Sequence, residues 1–397
     1  MKKPAPSKQQ SSPQAASDPG GLAPLDAVLI ALLLALAMFM MVRAGFRRGL
    51  ELMPWPDGLE YSAAAVNIDR GLGPVLHFGG YSYPSRYTEG YPLMLAAAYP
   101  LLGHRVERLC LATMMTGLLA IVALYMLARR MFDRVCACIA CVLLALSPVF
   151  ITYSTLVLSD VPTLALTIFA ALAFHGACES RGSPASAAIC GVFAGFTVMI
   201  RPTNATILIG IVAAMLIVGS RPSIKMTIAF GLAFAIFPLW QAWTNTHMLG
   251  SPFASGYVFW VPEVYGAMGK TFSARFLFGP TMPGNPWGNV VSYVLMLSGL
   301  DGMLGDPGDP RYLMYPFASA AFAVIGILAA RRTQSRSTLR TLWFGVAFLG
   351  ALLAVYLFYF FTEIAFILPA AFILFAVSGY GIVAGNRTML KARKVAR

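Results

Sequence analysis

Charge is scarce in this sequence. Asp, Glu, Lys and Arg make up 11% of 397 residues, where an ordinary soluble domain carries about 25%. Acidic groups are the scarcer kind, 16 against 29 basic residues. So few charges, beside 58% hydrophobic residues, exclude a conventional soluble surface. Histidine is limited to His77, His104, His175 and His247, with no H-E-x-x-H, which excludes a helical zinc-hydrolase site. No G-x-S-x-G occurs, so the serine-hydrolase elbow is absent too. GAMGKT at Gly266–Thr271 has its glycines too close together for a phosphate-binding P-loop. Of the six cysteines, Cys136, Cys138 and Cys141 lack a fourth metal ligand nearby, and the others lie in or beside apolar runs. They read as small buried hydrophobes, and no structural disulfide is expected.

What is present is a succession of apolar runs, each about 20 residues, the length that crosses roughly 30 Å of hydrocarbon. In lipid such runs must be helices, because their backbone groups find no water. The expected fold class is an all-α polytopic membrane bundle of about ten transmembrane helices, near 25–45, 108–128, 135–152, 160–178, 185–200, 203–220, 226–246, 313–330, 341–361 and 364–384. With the N-terminus cytoplasmic, the basic residues gather in short cytoplasmic loops, as at Arg129, Arg130, Arg134, Arg331, Arg332, Arg336 and Arg340, and most acids fall outside. The basic excess is therefore a topology signal, and nucleic acid is not an expected partner.

Residues 1–24, rich in Pro, Ser, Gln and Ala, read as a disordered cytoplasmic tail. The run after Leu25 is too long for a signal-peptide core and no cleavage site follows, so it is expected to stay as the first span. The transmembrane domain covers 25–384, and 385–397 form a basic tail. Two outer loops, about 46–107 and 247–312, interrupt otherwise short connections. The first holds a helix over Gly58–Arg70, the stretch GGYSYPSRYTEGYP, and a half-span, LMLAAAYPLLG, that reads as re-entrant or interfacial. The second is rich in Gly, Pro and aromatics, with a patch, VVSYVLMLSGLDGML, expected to lie flat on the membrane. Gly191 and Gly195 form a G-x-x-x-G read as helix packing. No internal repeat of the transporter kind is visible.

Ionisable groups at membrane depth are costly and mark a site when they converge. Asp57 and Glu60 stand three apart, on one helical face. Arg86, Tyr87 and Glu89 follow in PSRYTEGYP, Asp160 opens the fourth span, Arg201 sits at the joint of the fifth and sixth, and Glu363 precedes the tenth. All emerge on the outer side. Helix capping is the simpler account for a lone acid in such a place, but one cap does not explain Asp57 and Glu60 together.

The order of these elements carries a resemblance: D-x-x-E-Y after the first span, R-Y-x-x-G-Y-P-L, a span ending in A-R-R, L-S-D-x-P, then R-P-T. It resembles the GT-C superfamily of membrane glycosyltransferases, especially bacterial relatives of the protein mannosyltransferases, aminoarabinose transferases and lipopolysaccharide-core galacturonosyltransferases, most clearly over residues 25–220. The resemblance implies a GT-C-like bundle with interfacial helices in the first outer loop, and transfer of a sugar from a polyprenyl-phosphate donor to a glycan, lipid or protein acceptor. It implies a bacterial inner membrane, with the active site on the periplasmic face. The family's loop acid falls on Asp57, its second acid on Asp160, and its cation on Arg86.

A phosphate leaving group needs no protonation, so one carboxylate, Asp57, would serve as general base in an inverting displacement. Arg86 and Arg201 would hold the phosphate. Tyr87, Glu89 and Glu363 complete the expected substrate site. Glu60 and Asp160 would either position sugar hydroxyls or, with Asp57, hold a divalent metal. Two positions depart from the family pattern: Ala365 and Phe366 stand where a cation is common, and Glu89 where a proline is. A lipid-linked sugar flippase, or a non-catalytic subunit of envelope polysaccharide assembly, is the alternative. Sugar and acceptor stay open.

Overall fold

Serine and aspartate caps set the starts of several helices in the computed structural model, which describes residues 23–48, 57–179, 182–219, 222–282, 286–298 and 320–395. Asp133 accepts from the Cys136 amide, Ser183 from Ser186 and Ser223 from Met226, so donors that the first turn leaves unpaired are satisfied. The order is α1 (Pro24–Arg48), α2 (Asp57–Asp69), a hairpin of β1 (Val75–Phe78) and β2 (Tyr81–Pro84), α3 (Gly90–Ala98), α4 (Leu109–Met131), α5 (Arg134–Ala145), α6 (Pro148–Ser154), α7 (Asp160–Cys178), α8 (Pro184–Ile200), α9 (Ile207–Ile217) and α10 (Ile224–Leu249). Short helices α11 (Gly256–Trp260), α12 (Pro262–Tyr265) and α13 (Met268–Thr271) precede α14 (Gly288–Ser298), α15 (Ala320–Thr333), α16 (Arg336–Leu357) and α17 (Phe372–Val395). The architecture is all-α and polytopic.

Ten spans are expected from sequence; among the described residues, by length and composition, five helices qualify outright, and seven if each of two bent pairs counts as one span. The expected third span is broken at Ser147, where Pro148 restricts the preceding residue to extended backbone, and α5 and α6 meet at 65°. The tenth bends by 71° between a 3₁₀ stretch, Ile364–Ala370, and α17. The fifth and sixth, Pro184–Ile200 and Pro202–Ile217, are apolar but shorter than a full span. The expected eighth begins outside the described residues and is seen from Ala320 as α15. Most of the 1–24 tail lies outside them too, and 385–397 continues α17 as far as Val395.

The core is formed by α4, α5, α7 and α17, with α16 packed along α9 and α7. The G-x-x-x-G of α8 does pack a helix: a Cβ on Gly191 or Gly195 would stand 2.4 Å from the Phe230 or Phe234 carbonyl of α10. The outer face of α10 carries Ile224, Ile228, Leu232, Ile236 and Trp240, all exposed and suited to hydrocarbon.

The two ends of the bundle differ. At one, Asp26 of α1 is fully buried, and its carboxylate accepts from Tyr125 (2.7 Å), Arg134 (2.8 Å) and the Ala23 amide (2.9 Å), with Arg129 at 2.9 Å. Asp57, Glu60, Arg86, Asp160, Arg201 and Glu363 gather at the other.

Candidate active site

The site end is built on the first turn of α2. Asp57 and Glu60 open that helix, where the unpaired amides and helix dipole favour carboxylates. Glu60 is spoken for. It accepts from the Arg86 amide (2.5 Å), Nε (3.0 Å) and Nη2 (2.7 Å), and from Ser85 Oγ (3.2 Å). This forked pair ties the 84–89 loop to α2, and both Glu60 oxygens are engaged. Burial acts to lower the Arg86 guanidinium, but the bond and charge of Glu60 outweigh it and raise it.

Tyr87 leans over Tyr61 with ring centroids 4.4 Å apart, and Tyr91 meets Tyr61 edge-on at 4.9 Å. Burial raises the Tyr87 phenol well above its ordinary range, and the neighbouring Tyr257 and Asp57 add to it. Tyr87 therefore stays a neutral donor beside the Asp57 carboxylate.

Asp160 and Arg201 meet beneath. Asp160, at the start of α7, is 1% exposed, and its Oδ1 lies 2.9 Å from Arg201 Nη1. The two atoms are misaligned, so the charges attract but neither atom makes a hydrogen bond. Arg201 spends Nε on Ser159 Oγ at 3.0 Å, and its guanidinium sits 5.7 Å from the Phe366 ring centre. An arginine from the α8–α9 joint thus reaches the 363–369 segment, which carries no cation of its own. That joint is fixed by the first loop: Thr88 Oγ1 donates to the Ile200 carbonyl at 2.6 Å, and Gly90 lies so close that a Cβ would be 2.7 Å from the Ile200 amide.

Glu363 comes from the far end of the chain. Its carboxylate accepts from Tyr153 of α6, and its carbonyl from Tyr293 of α14 at 3.2 Å. Burial, with a smaller contribution from the Asp57 charge, pushes it up to about 7. Asp57 acts electrostatically on Asp160 as well, so Asp57, Asp160, Arg201 and Glu363 form one charged neighbourhood. Glu89 does not join it. It is buried, accepts from Trp240 Nε1 at 3.0 Å, and has its partners Trp240, Gln241 and Thr244 on α10; burial raises its carboxyl.

The 256–282 segment closes the wall. Tyr257 packs edge-on to Tyr87 at 5.5 Å, Trp260 donates to the Pro84 carbonyl at 2.7 Å, and a Cβ on Gly256 would come within 2.1 Å of the Ser85 carbonyl. The same loop clamps the strand-like 358–362 segment through Ser273 to Phe358, Phe360 to Thr271, and Thr362 to Met282, each 2.8–2.9 Å. That clamp positions Glu363. Sequence reasoning gave no role to Tyr153, Tyr257 or Tyr293; Tyr61 entered only as the end of D-x-x-E-Y, and Phe366 only as standing where a cation is common. As for a metal, among the described residues no three His, Cys, Asp or Glu side chains converge to hold an ion, and Glu60 is committed to Arg86.

The chain has the GT-C fold, that of a superfamily of membrane glycosyltransferases. Its likeness to particular proteins is uneven. A family model for dolichyl-phosphate-mannose-protein mannosyltransferases matches residues 90–243, which include Asp160 and Arg201 and stop short of Asp57 and Glu363. ArnT from Cupriavidus metallidurans, solved bound to undecaprenyl phosphate, aligns over 90% of this chain with a TM-score of 0.63 at 16% identity. The Archaeoglobus fulgidus oligosaccharyltransferase tethered to an acceptor peptide aligns over 92%, with a TM-score of 0.56 at 15% identity. AglB from the same organism, in complex with an inhibitory peptide and a dolichol-phosphate, reaches 0.52 at 14% over 94% of the chain. This chain spans 60% of ArnT and 50–52% of the two archaeal structures. A search of curated proteins gave no significant match.

Proposed function

We propose that this protein transfers a sugar from a polyprenyl-phosphate donor to an acceptor of the bacterial envelope, at the outer face of the inner membrane. The observation that carries the reading is a half-buried arginine, Arg201, whose Nη1 faces Asp160 Oδ1 at 2.9 Å without a hydrogen bond, set among Asp57, Asp160 and Glu363 at one end of a GT-C bundle. Solved neighbours of that fold bind undecaprenyl phosphate and dolichol-phosphate. The outer-face assignment rests on the basic residues at the opposite end.

In this reading the acceptor hydroxyl loses its proton to Asp57 as its oxygen attacks the anomeric carbon. The bond from that carbon to phosphate oxygen breaks, and polyprenyl phosphate departs with the electron pair. The configuration inverts. Arg201 supplies the charge that grows complementary to the leaving phosphate. Arg86, held by Glu60, shapes the loop that carries Tyr87 to Asp57 and lends its charge to the same pocket. Asp160 keeps Arg201 in place without exhausting its donors. Glu363 and Tyr87 face the sugar hydroxyls.

The test is transfer from a panel of radiolabelled polyprenyl-phosphate sugars by the purified protein in lipid, with crude envelope as acceptor. Wild type is run beside Asp57→Asn, each with and without chelator. Wild type moves label, and the variant, still folded, is slower by about 10²- to 10⁴-fold. Undiminished transfer by the variant removes Asp57 as base. Donor binding without transfer by wild type replaces the enzyme with a flippase or assembly subunit.

A further inference from the structure

At the basic end of the bundle, opposite the carboxylates, an open groove of about 220 Å³ lies between α7, α8 and the last turn of α4. Its mouth holds Arg130 and Ser186, and its walls are Leu172, Ile189, Phe169 and Phe193, the last two stacked at 5.3 Å. From Gly176 to Phe169 it runs about 10 Å along the helix axis. Arg130 is exposed and, among the described residues, has no carboxylate within ion-pair distance. Glu179, three residues past Gly176 at the end of α7, faces His175 at 3.8 Å. Arg340, whose guanidinium donates to the Cys178 carbonyl at 3.1 Å, adds a second positive charge at the end of α7.

A cation at the rim over an apolar trough is complementary to a molecule with an anionic head and a hydrocarbon tail. We infer that this groove is a specific site for an anionic glycerophospholipid of the leaflet opposite the carboxylates, its phosphate on Arg130 and one acyl chain along Leu172, Phe169 and Phe193. Basic pockets between membrane helices recognise lipid headgroups in this way. The site shares no residue with the proposed transfer site and does not depend on that reading.

The experiment measures lipid retained by the purified full chain, by native mass spectrometry after exchange into equal phosphatidylglycerol and phosphatidylcholine. Wild type retains phosphatidylglycerol about fivefold over phosphatidylcholine, the value of one basic contact at a membrane surface. Arg130→Gln erases the preference, whereas Arg332→Gln keeps it. Gly176→Leu fills the trough and releases both lipids; its Cβ finds only Ser186 Oγ, at 3.6 Å, so the helix tolerates it. Should that variant not fold, Ile189→Trp fills the groove from its exposed side. Equal retention of the two lipids by wild type, or an unchanged preference in Arg130→Gln, overturns the proposal. So does a dimer that Gly176→Leu dissociates without any headgroup preference, which would give the groove to a second copy of the chain.

Discussion

Asp26 and Asp160 are both buried carboxylates facing arginine, at opposite ends of one bundle, and they are built differently. Asp26 closes on itself: a phenol, an amide and two guanidinium groups occupy its oxygens at 2.7–3.3 Å. Asp160 has Arg201 at 2.9 Å, yet Oδ1 and Nη1 are each left without a hydrogen bond. A buried polar atom left unsatisfied costs about 1–3 kcal/mol, so it persists where something else offsets that cost. The saturated cluster holds helices together. The unsaturated one is where the proposed function seats the leaving phosphate.

That contrast can be broken most sharply at Arg201. Arg201→Gln is expected to lower transfer by about 10²- to 10³-fold, the scale of losing one charge-stabilising donor. Because Asp160 would then be buried without a counter-charge, the double variant with Asp160→Asn is expected to recover stability and not transfer. Asp26→Asn should do the reverse, lowering the melting temperature in detergent and leaving transfer per folded molecule unchanged. Equal effects of the two single variants on both readouts would erase the distinction.

Glu363 sharpens it through pH. Its folded-state value, about 7, stands above the ordinary 4.5, so the folded protein holds a proton that the unfolded chain has released. The stability this contributes is full below about pH 4.5 and is lost as pH rises through about 7. Melting temperature should therefore fall across that window, and Glu363→Gln should flatten the fall. The smallest effect is expected at Phe366. Phe366→Leu removes a cation–π contact worth about 0.5–1 kcal/mol, so transfer should drop by about two- to fivefold. A larger loss would mean that the ring does more than seat Arg201.

The apolar helices and the spacing of the loop acids were legible because hydropathy and helical spacing are local. Asp57 and Glu60 could be placed on one face from their spacing alone. The partnerships could not. Glu60 with Arg86, and Asp160 with Arg201, are pairings across loops that no period encodes. Glu89 sits in the same loop as Arg86, yet α10 draws it away through Trp240. The break at Pro148 is written in the sequence, but its consequence, Tyr153 swinging onto Glu363, depends on where α17 packs. Tyr257 was hidden for a related reason: it reaches Tyr87 only because Gly256 lets two backbones touch.

That contact also sets a timetable. Asp57 and Glu363 are about 300 residues apart in the chain, which a ribosome needs roughly 15–60 s to traverse at 5–20 residues per second. For about the first 200 of those residues the nascent protein has its first carboxylates without Tyr257, and through nearly all of them it lacks the clamped 358–362 segment. The neighbourhood comes into being only as the last helix enters, so an unfinished chain holds its parts unassembled.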